Sequence, residues 1–395
     1  MRSFRRFGYF AAVVVCAAAT ALGASSCASA PREAGTAPEE HPAKRIRAAL
    51  YLDRGSSGNG VFHWARLLEY SPQIELRGVD GQDIRDGKLS DFDLLVMPGG
   101  LSPAQYKSLR EEGAEKVREF IRNGGSYVGT CAGLACTLND KDRLKLLPFT
   151  RKPRSGGKQA ILAVDFSEAG AKVLGIAPGR YYTRYSGGPI PVPGREMPDA
   201  RGEVLAVYKN TVSYYDKPEG NFFGEAAVIY GTLGKGRVIA TGFHPEYWES
   251  THPIVAGCVY AVTGVRPTFE FPVDKPHALR VGFWCSGTPD ARRLADMLEI
   301  DRDPGLDMVL VSAHQVNMGI LRHLDVLVVA HDKFGTCRKH LGAAFVRGQV
   351  QAFLERGGRV IVSGNGAECV PKHRNVIEVP MGASLAEAAL ECIRK

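Results

Sequence analysis

Gly124-Gly125-Ser126-Tyr127-Val128-Gly129-Thr130-Cys131-Ala132-Gly133-Leu134-Ala135-Cys136-Thr137 is the stretch from which the rest of this chain is read. Two glycines open it, a short run suited to a strand follows, and the run stops at a cysteine flanked by Gly129, Ala132 and Gly133. Small residues so placed let a strand turn abruptly into a helix, because a tight elbow tolerates no bulky substituent where the helix and a ligand approach. Cys131 is held at the corner. The first N–H groups of the helix beyond point at such a turn, and their partial positive charge favours a thiolate over a thiol. A single cysteine is more often an inert, buried small hydrophobe. The reading as a nucleophile therefore depends on partners elsewhere in the chain.

Upstream, Arg45 to Leu52 carries a strand signal, Arg54-Gly55-Ser56-Ser57-Gly58-Asn59-Gly60 a glycine-rich loop, and Val61 to Tyr70 an amphipathic helix. The loop lacks the lysine of a phosphate-binding loop and the spacing of a dinucleotide fingerprint, so it reads as a turn lining a cleft. Ile74 to Val79 and Phe92 to Met97 read as further strands, the second ending in Pro98-Gly99-Gly100. Ser102-Pro103-Ala104-Gln105 has the form of an N-cap, a first-turn proline and a capping-box glutamine, opening a helix to Arg122. In a doubly wound sheet the ligand sits beyond the carboxyl ends of the strands, where both Gly99-Gly100 and Cys131 fall. The backbone N–H groups of Gly100 and Ala132 can there form an oxyanion hole.

A base for the cysteine is found downstream. Ala226 to Tyr230 and Arg237 to Thr241 read as two strands of a hairpin turning at Gly234-Lys235-Gly236, so His244 emerges just past a strand end. Glu246 lies two residues on, a spacing that puts both side chains on one side of an extended chain. The roles expected are Cys131 attacking, His244 moving the proton and Glu246 stabilising the imidazolium.

Met1 to about Ala30 reads as a targeting segment, with Arg2, Arg5 and Arg6 before an apolar run from Tyr9 to Ala24. Ala24-Ser25-Ser26-Cys27 resembles a bacterial lipoprotein signal with Cys27 as the acylated residue, although Leu22 lies five residues before the cysteine rather than three. Ala28-Ser29-Ala30 is the alternative, a soluble-secretion site disfavoured by Pro31. Either reading expects an exported protein: a signal over 1–27, then a flexible tether over 28–44, composed of Ala, Pro, Glu, Thr and Gly with little to bury. Membrane association is expected through the N-terminal lipid. Net charge is +8, with basic and acidic residues interspersed, which implies no nucleic-acid partner. The nine cysteines show no regular spacing, so neither a zinc cluster nor a disulfide framework is expected, and no cofactor is implied.

Pro98-Gly99-Gly100, Gly129-Thr130-Cys131-Ala132-Gly133 and His244-Pro245-Glu246, in that order, resemble the class I glutamine amidotransferase-like superfamily. The longer match through Gly124-Gly125-Ser126-Tyr127 and Gly234-Lys235-Gly236-Arg237 is similar to the biotin-protein ligase N-terminal domain family. The resemblance covers residues 45–264 and implies an α/β, flavodoxin-like, doubly wound and mostly parallel sheet with a Cys-His-Glu site. Tyr185-Ser186-Gly187-Gly188-Pro189 resembles that family's stretch facing the nucleophile, which implies that Tyr185, Ser186, Gly187 and Gly188, with Gly99, meet the substrate. No ligase catalytic domain follows, so biotinylation is not implied. Outside the cytoplasm no ATP-using synthetase is expected, which favours hydrolysis of a small-molecule or peptide amide over ammonia transfer. The reading from another class is a non-catalytic envelope protein that holds a ligand in the same cleft.

After a helix from Pro253 to Thr263, residues 265–278 read as a proline-rich linker, and 279–395 as a second, degenerate domain of the same type. Val350, Phe353, Gly357, Gly358, Gly366 and Cys369 repeat, at one offset, Val117, Phe120, Gly124, Gly125, Gly133 and Cys136. Gly364 stands where Cys131 stood, and Ala330-His331-Asp332 where Pro98-Gly99-Gly100 stood. Cys285, His314 and His331 fall at strand ends of this half, and read as polar rim residues of a decayed cleft with a structural or docking role.

Overall fold

The first strand, β1 (Ile46–Tyr51), is filled on both sides: Ala48 and Leu50 enter one apolar cluster, Ala49 and Tyr51 another. Alternate side chains of a strand point to opposite faces, so such a strand belongs to a sheet covered by helices on each side. The computed structural model describes residues 45–153, 159–209, 222–271, 275, 278–285, 287 and 289–394, and holds two sheets of this kind. The expected signal, tether and acylated Cys27 lie outside the described residues.

From β1 the chain runs through α1 (Gly58–Glu69), β2 (Ile74–Val79), α2 (Gly81–Arg85), β3 (Leu94–Met97), α3 (Ser102–Arg122), β4 (Ser126–Thr130) and α4 (Ala132–Thr137). It continues as β5 (Phe149–Arg151), β6 (Gln159–Phe166), α5 (Glu168–Leu174), β7 (Gly179–Ser186), β8 (Pro191–Pro193), β9 (Ala200–Tyr208), β10 (Ala226–Leu233), β11 (Gly236–Thr241) and α6 (His252–Thr263). The large sheet has the order β2-β1-β3-β4-β11-β10-β9-β6-β7. Its strands are parallel from β2 to β11 and antiparallel beyond. Strands β5 and β8 pair separately. Residues of α1 and α6 fill one face, and Leu109, Val117 and Ile121 of α3 with Leu134 of α4 the other.

Helix α3 has the expected span but a different start. Its N-cap is Leu101, without a side-chain bond, and the Gln105 amide turns inward to donate to the Pro98 carbonyl at 3.0 Å. Anchoring the loop that follows β3 thus takes the place of the expected capping box. Arg110, at φ 60° and ψ 175°, divides the helix in two.

The second sheet follows through β12 (Leu279–Trp284), α7 (Ala291–Arg302), β13 (Leu306–Val311), α8 (Ala313–Asn317), β14 (Val326–Val329), α9 (Thr336–Leu341), α10 (Ala344–Glu355), β15 (Arg359–Ser363), β16 (Val376–Val379) and α11 (Leu385–Arg394). Its order, β13-β12-β14-β15-β16, is parallel throughout and repeats that of β2-β1-β3-β4-β11.

Both sheets belong to one compact unit. A single apolar cluster runs from Trp64 and Leu68 of α1 to Met297 and Ile300 of α7. At its edge Asp301 Oδ2 accepts from Arg66 Nε and from the Tyr70 hydroxyl, each at 2.9 Å. The run read as a linker is anchored where it is described: Phe269 and Phe271 pack on the shared core, and the Thr268 N–H donates to Gln73. Among the described residues no helix is long and apolar enough to cross a membrane.

Candidate active site

Cys131 closes β4 at φ 52° and ψ −101°, a backbone region that residues with a Cβ seldom occupy and that costs about 1–3 kcal/mol. The small neighbours have the reason the sequence suggested. A Cβ on Gly129 would fall 2.7 Å from the Gly133 carbonyl carbon, and one on Gly133 would fall 2.1 Å from the Met97 oxygen. Helix α4 is only six residues long. The elbow is held chiefly by β11, the parallel neighbour of β4: Thr130 pairs with Thr241, and the Cys131 N–H donates to the Thr241 carbonyl at 2.8 Å.

His244 leaves the end of β11 and is fixed by its backbone N–H, which donates to the Arg184 carbonyl of β7 at 2.8 Å. Its Nδ1 lies 2.8 Å from Glu246 Oε1, and Gly99 packs against both the imidazole and the Cys131 side chain. All three side chains are buried. Glu246 reaches back from a 3₁₀ turn, Pro245–Tyr247, instead of along extended chain. Burial opposes charge on the imidazole, but the Glu246 carboxylate and the Cys131 sulfur outweigh it and push His244 up to about 10. Glu246 Oε2 has no hydrogen-bond partner among the described residues.

Gly99 makes room for this arrangement: a Cβ there would sit 2.5 Å from His244 Cε1 and 3.4 Å from the Cys131 Cβ. Gly100 has φ +146°, and a Cβ on it would fall 1.9 Å from the Gly55 oxygen. Gly100 faces Ser56 in a bridge whose bonds are made by the flanking pairs, Leu101 N–H to Gly55 and Ser57 N–H to Gly99. The Gly100 N–H is therefore directed away from Ser56. Ala132 opens α4, where a first-turn N–H has no intrahelical acceptor.

A cleft of about 690 Å³ lies over the cysteine. Gly100, Cys131, Ser186 and His244 line it, and the Ser186 carbonyl accepts from the Cys131 thiol at 3.5 Å. Tyr185 and Gly188 stand elsewhere. Tyr185 is buried against Tyr208 and Phe222, with its hydroxyl on the Gly188 carbonyl at 2.5 Å, and a Cβ on Gly188 would fall 2.0 Å from the Gly242 oxygen. Their place is in the packing behind the cleft. Gly187 is exposed at φ +76° and lies outside the cleft lining, as does Gly99.

The glycine-rich loop lines the cleft as the sequence suggested, through Arg54, Gly55, Ser56, Ser57 and Asn59. The cleft also takes residues that the sequence did not single out: Arg184 and Tyr247 flank His244, and Gly287, Phe334 and Thr336 come from the second half of the chain. The rim residues of that half do not converge. Cys285 is buried where a Cβ on Gly58 would lie 2.5 Å from its sulfur, His331 packs over Gly364, and His314 is exposed on α8. Among the described residues no group of three or more His, Cys, Asp or Glu side chains is placed to hold a metal ion.

An open parallel sheet with a cysteine on the elbow after one strand and a His-x-Glu after its neighbour defines a glutamine amidotransferase-like protein. Residues 49–136 and 147–256 match the family model for the N-terminal region of biotin-protein ligase, and the chain belongs to that family. It is 27% identical over 209 residues to the biotin–protein ligase of Schizosaccharomyces pombe, a match covering 47% of this chain and 30% of that protein. It is 30% identical over 197 residues to the pyridoxal 5'-phosphate synthase subunit PdxT of Bifidobacterium adolescentis, covering 47% of this chain and 91% of that one. Among solved structures, PurLQS from Thermotoga maritima aligns with a TM-score of 0.40 and 19% identity, over 54% of this chain and 98% of that one. The matched family region ends before the second sheet begins.

Proposed function

We propose that this chain cleaves an amide, or a related acyl bond, through a thioester on Cys131. The observation that supports this reading is the buried group of Cys131, His244 and Glu246, gathered at the carboxyl ends of two adjoining parallel strands with the imidazole hydrogen-bonded to the carboxylate. With His244 protonated, the sulfur attacks the carbonyl carbon and a C–S bond forms. The charge on the carbonyl oxygen is met by the N–H groups of Gly100 and Ala132. As the C–N bond breaks, His244 gives its proton to the leaving amine. Water then enters, His244 takes one of its protons, and the resulting attack breaks the C–S bond and frees a carboxylic product. Amide and water have become acid and amine. Glu246 holds the imidazole and balances its charge throughout.

The amino-terminal sequence supports an exported protein tethered to a membrane by a lipid on Cys27, acting at the cell envelope. The test of the chemistry is release of ammonia or amine from a panel of amides, with the acylated Cys131 peptide sought by mass spectrometry. Turnover by the native chain and none by Cys131→Ala is the expected result. No release from any amide, with Cys131 alkylated by iodoacetamide at the same rate with and without His244, would leave the cleft as a ligand-holding site instead. Loss of radiolabelled fatty acid in Cys27→Ser tests the anchor.

A further inference from the structure

Two guanidinium groups face the Cys131 cleft, and neither has a carboxylate partner among the described residues. Arg54 and Arg184 approach from different walls, one from the loop after β1 and the other from β7. Other arginines of this chain do find acids: Arg47 meets Asp93, Arg66 meets Asp301, and Arg180 meets Asp165. In the cleft each guanidinium lies instead over a ring, Arg54 at 5.6 Å from the Phe334 centroid and Arg184 at 4.5 Å from that of Tyr247. Stacking holds a guanidinium in place while leaving its in-plane N–H edges free for a planar acceptor.

The anchorage continues behind the rings. Tyr247 closes the 3₁₀ turn that carries Glu246, and the Arg184 carbonyl takes the His244 N–H, so this cation is placed relative to the catalytic imidazole. The described lining contains no Asp or Glu, and its other polar side chains include Asn59 and Gln159. Two fixed like charges with no acid between them repel one another until an anion enters.

We propose that the cleft binds a substrate bearing a carboxylate, held between Arg54 and Arg184 while Cys131 faces the bond to be cleaved. That the bond is an amide rests on the hydrolase reading; the anion subsite does not. Because Phe334 belongs to the loop after β14, the subsite straddles both sheets, and the second half of the chain sets specificity for chemistry performed by the first.

The experiment uses the full chain and two thiol reagents of the same shape, β-maleimidopropionate and its neutral amide, with alkylation read on the Cys131 peptide by mass spectrometry. Relative to free cysteine, Cys131 is expected to favour the anionic reagent by about tenfold, an effect that fades as salt is raised. Arg54→Gln with Arg184→Gln should bring the ratio close to that of free cysteine, and the paired Lys substitutions should keep most of it. The neutral reagent's rate reports whether the site is intact in each variant. As a readout independent of the thiol, glutarate but not glutaramide should raise the Tm of the native chain and leave the double Gln variant unmoved. A native ratio equal to that of free cysteine, or a ratio unchanged by the double substitution, overturns the proposal. Charge preference without cleavage of any amide leaves the subsite standing and removes the hydrolase. Cleavage with no charge preference does the reverse.

Discussion

At residues 131 and 364 the chain makes the same turn, with φ of 52° and 53°, at the end of the strand that lies fourth in each sheet's repeated order, and only the first of the two carries a side chain. The packing around them is copied in detail. A Cβ on Gly133 would meet the Met97 oxygen at 2.1 Å, and one on Gly366 the Val329 oxygen at 2.3 Å. Gly125 lies under the Phe120 ring as Gly358 lies under Phe353, each leaving 2.4 Å for a missing Cβ. The chemistry is not copied. Thr241 pairs with Thr130 and is followed three residues later by His244; Val379 pairs with Ser363 and is followed three residues later by Gly382. Over the first elbow Gly99 leaves space for an imidazole from the neighbouring strand, whereas over the second the His331 ring fills it, with Nδ1 2.6 Å from where a Cβ on Gly364 would be. An elbow is therefore a packing solution that persists without a nucleophile. Reactivity needs a partner delivered by the adjoining strand.

The comparison breaks most visibly at the thiol. Cys131→Ala should lower amide cleavage by at least ~10³-fold, and adding Gly364→Cys should restore nothing, because the His331 ring already fills the space over that elbow and no Glu-backed imidazole reaches it from the adjoining strand; ammonia release measures both. His244→Ala should slow alkylation of Cys131 by iodoacetamide at neutral pH by roughly 10- to 100-fold. The same variant sharpens a linkage. The folded imidazole, raised to about 10, binds its proton more tightly than the unfolded one, near 6.5. Its contribution to stability is complete below the unfolded value and is lost as pH rises through the folded one, so urea unfolding of His244→Ala should lack that decline.

Shared packing predicts shared sensitivity. Gly133→Ala and Gly366→Ala should each destabilise by about 2–4 kcal/mol, read from urea midpoints, since each drives a methyl group into a carbonyl oxygen. A loss at Gly133 alone would show that the second elbow is loose. The smallest effect is expected at Phe334→Ala, which removes the half-buried ring beside Arg54: KM for a carboxylate-bearing amide should rise about threefold with kcat unchanged, by steady-state kinetics.

Much of this was legible in the sequence, because strands buried on both faces are short apolar runs and glycines mark where they stop. β1 to β4, the β10–β11 hairpin, and Cys131, His244 and Glu246 all follow from such punctuation. The antiparallel extension through β9, β6 and β7 did not. Its edge strand alternates Tyr181, Thr183 and Tyr185 with Arg180, Tyr182 and Arg184, a period-two signal that was present but masked by polar and aromatic residues on both faces. That alternation separates Tyr185, packed in the core, from Arg184, on the cleft, where a motif match alone assigned Tyr185 to the substrate. Arg54 and Phe334 meet only through the docking of the two sheets, and no local pattern encodes such a meeting.

The pairing of β4 with β11 has a consequence for how the molecule comes into being. Ser126 and Arg237 are neighbours in the sheet but more than 100 residues apart in the chain. The elbow is complete in the polypeptide long before its imidazole has been made, and closing so long a loop is slow compared with forming local structure. During synthesis and early folding Cys131 is only one thiol among several. The imidazole thus arrives with β11, the last strand of the large sheet to be made, and a half-made chain carries Cys131 without it.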